Sequence, residues 1–108
     1  MNCYENRYEL QPKFDSRKSF YGRAFVEISG GWGQNATLYS YNTPVAIVGY
    51  DTDDDEFVCY LTVDWDYSAT TLRHVKEFLM QYGFGKWTAA EIRKEWTEVD
   101  GYLMMVRP

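Results

Sequence analysis

The chain has 108 residues, with 11 Lys or Arg against 16 Asp or Glu, a formal net charge of -5. That length suits one domain, and 45% apolar residues give it material for a core. No apolar run approaches the length of a membrane-spanning helix. The first residues lack the basic and apolar regions of a signal peptide, so a cytoplasmic location is expected.

The charge is unevenly placed. Residues 51–66 carry Asp51, Asp53, Asp54, Asp55, Glu56, Asp64 and Asp66 and no base, while the rest of the chain is close to balance. Phosphate neutralisation by Lys and Arg supplies most of the affinity of nucleic-acid binders, so an acidic stretch points to a basic partner. The plain alternative is a solvated loop tip that keeps the protein soluble. The two cysteines, Cys3 and Cys59, read as free thiols in a chain without an export signal.

Residues 1–17 show no sustained period and read as an N-terminal arm, with Tyr4, Tyr8, Leu10 and Phe14 available for packing. Residues 18–108 read as a single α+β domain. From Lys18, alternation sets Phe20, Ala24, Val26 and Ile28 on one face, a strand ending at Gly30-Gly31. Trp32-Gly33-Gln34-Asn35 is a turn, Ala36–Tyr41 a second strand, and Asn42-Thr43-Pro44 a short link. Val45–Tyr50 is a third strand, Asp51–Asp55 an acidic hairpin tip, and Glu56–Val63 a fourth strand. Short links between four strands predict an antiparallel meander.

The period then changes. Asp64-Trp65-Asp66-Tyr67 is a loop and Ser68 an N-cap. Leu72, Val75, Phe78, Leu79 and Tyr82 recur at helical spacing, with Arg73, Lys76, Glu77 and Gln81 mostly opposite, and Gly83 ends the helix. Thr88 and Glu91 form a capping box for a second, shorter helix that buries Ile92 and Trp96. Asp100-Gly101 is a turn, and Tyr102–Val106 is a candidate strand along a sheet edge. The expected fold is a four-stranded antiparallel meander followed by two helices packed on one face. Its expected core is Phe20, Val26, Leu38, Ile47, Val58, Leu72, Val75 and Leu79.

Several chemistries fail on residue type or spacing. The run Asp51–Glu56 lacks the sixth-position Gly and twelfth-position Glu of a Ca²⁺ loop. One His and two distant Cys do not make a closed zinc site. Neither metal nor cofactor is expected. Cys59 and His74 form a Cys–His pair, but the apolar surroundings of Cys59 favour a packed thiol. Residues 21–28 share Gly22, Ala24, Phe25 and Val26 with the core motif of RRM-type RNA-binding domains. The preceding segment is too short for that fold's first strand, helix and second strand. An aromatic sheet face with Tyr39, Tyr41 and Phe25 would suit stacking on single-stranded nucleic acid.

Three segments carry a family resemblance: Lys18–Ala24, Leu38–Ala46 and Tyr67–Leu79. They resemble a small domain of unknown function found in Gram-positive gut bacteria, their phages and integrative elements. The resemblance covers about two-thirds of the chain and carries no activity with it. It leaves the Ser40–Thr43 and Ser68–His74 segments either as a hairpin link and a helix entry or as a shared polar site where Thr70, Thr71, Arg73 and His74 meet the sheet. The setting it implies is one in which short acidic proteins inhibit host defence, as anti-CRISPR proteins do. The expectation is therefore a noncatalytic binding protein of a phage or mobile element. It would inhibit a host defence or nucleic-acid-processing protein with a basic surface, such as a CRISPR effector. The seven acids of residues 51–66 would supply charge, and Trp65 an anchor. A single-strand nucleic-acid module and an enzyme centred on His74 are the alternatives.

Overall fold

The computed structural model describes residues 6–30 and 35–108. Gly31, at the expected end of the first strand, and the turn residues Trp32, Gly33 and Gln34 lie outside them, as do Cys3 and Tyr4. The elements are β1 (Asn6–Glu9), β2 (Ala24–Ser29), β3 (Asn35–Ser40), β4 (Thr43–Asp51) and β5 (Glu56–Leu61). They are followed by α1 (Ala69–Gln81), α2 (Ala89–Glu95), β6 (Thr97–Val99) and β7 (Tyr102–Val106). The class is α+β as expected, but the sheet has seven antiparallel strands, in the order β1-β2-β3-β4-β5-β7-β6.

The added strands lie at both edges. β1 pairs with β2, opposing Tyr8 to Val26. At the other end β7 lies inside, between β5 and β6, and the short β6 forms the edge. The Asp100-Gly101 turn, both residues at positive φ, closes the β6–β7 hairpin. Three residues are too few for a strand pattern to show in sequence, so β6 went unread.

β2 begins at Ala24 and not at Lys18, because Phe20–Arg23 is a tight turn. The Arg23 N–H donates to the Phe20 carbonyl at 3.1 Å, and Tyr21 and Gly22 have φ of 55° and 72°. Phe20 still reaches the core.

Both helices cover one sheet face. Val26, Leu38, Ala46, Val48, Cys59 and Leu61 meet Val75, Phe78, Leu79, Ile92 and Trp96 in a single cluster. The register slips between Leu38 and Tyr39, where β3 pairs with β4. This bulge buries Val45 beside Ala46 and puts Ala46 and Val48 on the helix side. Ile47, expected in the core, is therefore half-buried on the open face, and Leu72 is also only half-buried.

α1 is capped at both ends. The Thr71 N–H donates to the Ser68 hydroxyl. At the other end Gly83 (φ 82°) allows the Phe84 N–H to reach the Leu79 carbonyl at 2.8 Å and the Gly83 N–H the Met80 carbonyl at 3.3 Å. Phe84 is thereby folded back into the core. Thr88 and Glu91 make the expected capping box on α2.

The segment between β1 and β2 is fixed by a group that the helical pattern assigned to solvent. Glu77 is fully buried. Its carboxylate accepts from the backbone N–H groups of Lys13 (2.9 Å), Phe14 (3.0 Å) and Asp15 (2.9 Å), and from the Gln81 side chain (2.6 Å). Successive N–H groups pointing into one concavity are an anion nest, here filled by the protein's own carboxylate. Glu77→Ala deprives four donors of their charged acceptor and opens a void beside α1, and should cost about 3 kcal/mol. The check is the urea midpoint at unchanged slope; a loss below about 1 kcal/mol would contradict this role.

Candidate functional site

The seven acids of residues 51–66 do not form one surface. Asp51, Asp53, Asp54, Asp55 and Glu56 gather at the β4–β5 hairpin tip. Asp64 and Asp66 follow the far end of β5, whose six residues separate the two groups by roughly 20 Å at about 3.3 Å per residue. At the tip, Asp51 Oδ1 accepts from the N–H groups of Asp53 (2.9 Å) and Asp54 (3.4 Å). Asp55 takes a left-handed conformation with φ 57°. Asp53, Asp54 and Asp55 are exposed, while Asp51 and Glu56 are half-buried.

In the second group Asp64 borders a cleft and Asp66 is already engaged. Asp66 pairs with Arg93 at 2.7 Å. Trp65 is 5% exposed, packed in the core with the Arg93 guanidinium over its ring. It is part of the fold and not an exposed anchor.

The sheet face away from the helices carries Phe25 and Tyr39, paired across β2 and β3. The Arg7 guanidinium lies 4.7 Å from the Phe25 centroid and 5.3 Å from that of Tyr39. Tyr41 does not share this face. It sits in the β3–β4 turn, with its ring 6.0 Å from that of His74 on the helix side.

There the structure assembles the polar cluster that the sequence left undecided. Tyr41 and Asn42 have φ of 52° and 66°, a two-residue turn of type I′ character that sets Ser40 against α1. The Ser40 hydroxyl donates to Thr71 Oγ1 at 3.1 Å. Ser68 also donates to Thr71 Oγ1, at 3.2 Å. The Ser40 hydroxyl also lies 2.8 Å from His74 Nδ1, a contact whose donor is set by the imidazole tautomer. His74 is fully buried, its ring edge-on to Phe20 at 4.7 Å, and its Nε2 has no partner among the described residues.

Burial holds the His74 pKa down to about 4, against the pull of nearby Asp15 and aided by the charge of Arg23. Burial pushes the Cys59 thiol up, which fits an inert packed cysteine. Tyr82 is pushed up by burial and by its 2.8 Å contact with Tyr8.

Over the cluster opens a cleft of about 460 Å³, within the size range of ligand sites. Ser40, Thr43, Thr70 and Thr71 bring hydroxyls to it, Asp64 a carboxylate and Val45 an apolar patch. Sequence reasoning named the Ser40–Thr43 segment together with Thr70, Thr71, Arg73 and His74 but missed Asp64 as their neighbour. The contacts join β3, β4 and α1 across more than thirty positions, as for Ser40 and Thr71, which no local pattern shows. No group of three or more His, Cys, Asp or Glu among the described residues is placed to hold a metal. No described helix is long and apolar enough to cross a membrane.

The chain belongs to a family of unknown function, DUF8033, whose model matches residues 8–98. The match takes in the turn, the cleft and the acidic tip. No curated protein and no solved structure matches the chain.

The buried histidine gives a pH signature. An unfolded histidine titrates near 6.5 and His74 near 4, so above 6.5 both states are neutral and stability is full. As pH falls from 6.5 to 4 the unfolded chain takes up a proton that the folded chain refuses. Stability then drops by about 3 kcal/mol in total. Urea unfolding across that range should show the slope, and His74→Gln should remove this share of it. An unchanged slope in the variant would contradict the assignment.

Proposed function

We propose that the protein is a noncatalytic binding protein that engages a basic partner surface through the β4–β5 hairpin tip. The observation that carries this reading is the tip itself. Asp53, Asp54 and Asp55 are exposed together, on a turn stiffened by Asp51 and presented by two paired strands. Such a cluster raises the rate of encounter with a positive surface and sets its salt dependence. The buried Trp65 and the paired Asp66 leave the contact to residues 51–56. The finer part of the reading is a phage or mobile-element protein that inhibits a host defence or nucleic-acid-processing protein. The nucleic-acid channel of a CRISPR effector has the required sign.

The absence of catalysis in this reading rests on the burial and partners of Ser40 and His74. A nucleophilic serine is open to substrate, and its histidine is oriented by a partner at its other nitrogen. Here the Ser40 hydroxyl is buried and shared between Thr71 Oγ1 and His74 Nδ1, and His74 Nε2 has no described partner.

The test uses the full chain and a variant with Asp53, Asp54 and Asp55 changed to Asn and Glu56 to Gln. A basic protein captured from a Gram-positive lysate after nuclease treatment should bind the wild type. Its association with the variant should be about tenfold slower at low salt, with a flattened salt dependence. Equal kinetics would remove the tip from the function. A second reading is favoured by Arg7 over Phe25 and Tyr39 on the helix-free face: binding of single-stranded nucleic acid there. A capture lost with nuclease and with Phe25→Ala would select it.

A further inference from the structure

A second, smaller hollow of about 80 Å³ lies beside the cleft, and the two share Tyr41 and Thr70 as a wall. The hollow is lined by Arg17, Arg23, Arg73 and Tyr21, with His74 contributing to it. Two turns build it side by side. The Phe20–Arg23 turn and the Ser40–Thr43 turn are tied by the Tyr41 N–H, which donates to the Arg23 carbonyl at 2.9 Å. Each turn holds a tyrosine in the left-handed region, Tyr21 at φ 55° and Tyr41 at φ 52°. Such conformations are unfavourable for tyrosine and persist only where surrounding structure enforces them.

The charges in the hollow are not consumed by the fold. Arg73 is paired with Asp15 at 2.8 Å. Arg17 and Arg23 make no ion pair with any described carboxylate, and Arg23 rests 5.8 Å from the Tyr41 ring centroid. The hollow thus carries a net positive charge in a protein of net charge -5. His74 lines the hollow as well, and its Nε2 is buried without a described partner. The volume is that of a few water molecules, room for a tetrahedral anion but not for a ring. The adjoining cleft has room for rings, hydroxyl groups and a carboxylate to orient a sugar, and exposed Tyr41 (48%) and Tyr67 (80%) at its border.

We infer that the two cavities together form a site for a nucleoside monophosphate. Arginines at one end take the phosphate, whose oxygens match the guanidinium fork. The hydroxyls of Thr43 and Thr70 and the carboxylate of Asp64 take the sugar. Tyr41 and Tyr67 offer ring faces to the base. This site lies apart from the acidic tip and does not rest on the tip's function.

The test is a titration of the full chain, followed by backbone amide NMR shifts, with the common ribonucleoside monophosphates, inorganic phosphate and the unphosphorylated nucleosides. At least one monophosphate should shift Tyr41, Thr70 and His74 together. It should bind at least tenfold tighter than inorganic phosphate and than its own nucleoside. Arg17→Ala and Arg23→Ala alter exposed side chains and should each weaken it about tenfold. Tyr41→Asn keeps a residue that tolerates the left-handed turn and should weaken the nucleotide while leaving inorganic phosphate unchanged. Inorganic phosphate binding as tightly as every nucleotide would overturn the assignment. So would the absence of shifts at these residues at millimolar ligand. If binding is found, a single-stranded oligonucleotide carrying a terminal phosphate separates two sources of the same chemistry. Binding at the mononucleotide's strength supports a nucleic-acid end as the source, and failure to compete supports a free nucleotide.

Discussion

A buried carboxylate must be met by donors or it is expelled or neutralised. Glu77 is met by three consecutive backbone N–H groups from residues 13–15, and this contact organises one whole side of the molecule. It fixes the segment after β1 across the flank of α1. Asp15 is thereby placed on Arg73, whose Nη1 donates to both its oxygens at 2.8 and 3.0 Å. The chain then continues through Arg17 into the Phe20–Arg23 turn, and Phe20 closes over His74. Remove the anchor and the covering of His74, the position of Arg73 and the wall carrying Arg17 lose their common support.

The same arrangement explains why a polar cluster can exist inside a small core. Ser40, Ser68, Thr71 and His74 satisfy one another through a short chain of hydrogen bonds where the sheet meets the first turn of α1. Buried polar networks are costly when partly satisfied and specifying when complete. Among the described residues of this network the one buried atom without a partner is His74 Nε2, on a residue that also lines the arginine-bearing hollow. The acidic tip sits elsewhere, at the β4–β5 turn, built from local residues alone. The molecule therefore separates a solvated negative end from an open cleft and hollow that carry unpaired arginines.

Much of the central fold is legible in the sequence because its signals are local. Alternation in residues 24–28, 36–40 and 56–61, helical spacing from Leu72 to Tyr82, Gly83 and the Thr88–Glu91 box each act within a few residues. The misreadings share one cause: they depend on distant partners. Residues 6–9 become a strand only because β2 offers an edge. Ile47 leaves the core because a bulge opposite Tyr39 shifts the face of β4. Glu77 looks like a solvent residue on the helix until residues 13–15 cover it. Trp65 reads as an anchor beside two acids until the core and Arg93 enclose it. Ser40 shows in the sequence only as part of the Ser40–Thr43 link, since its partners Thr71 and His74 lie more than thirty positions away.

The most direct test is hydrogen exchange at the backbone amides of Lys13, Phe14 and Asp15. Held by a buried carboxylate, they should exchange slowly, at rates approaching those of the central strands β3 to β5. In Glu77→Ala the same amides should exchange freely while β3 to β5 keep their protection. Rapid exchange at Lys13, Phe14 and Asp15 in the unaltered protein would contradict the anchor and the site organisation that depends on it.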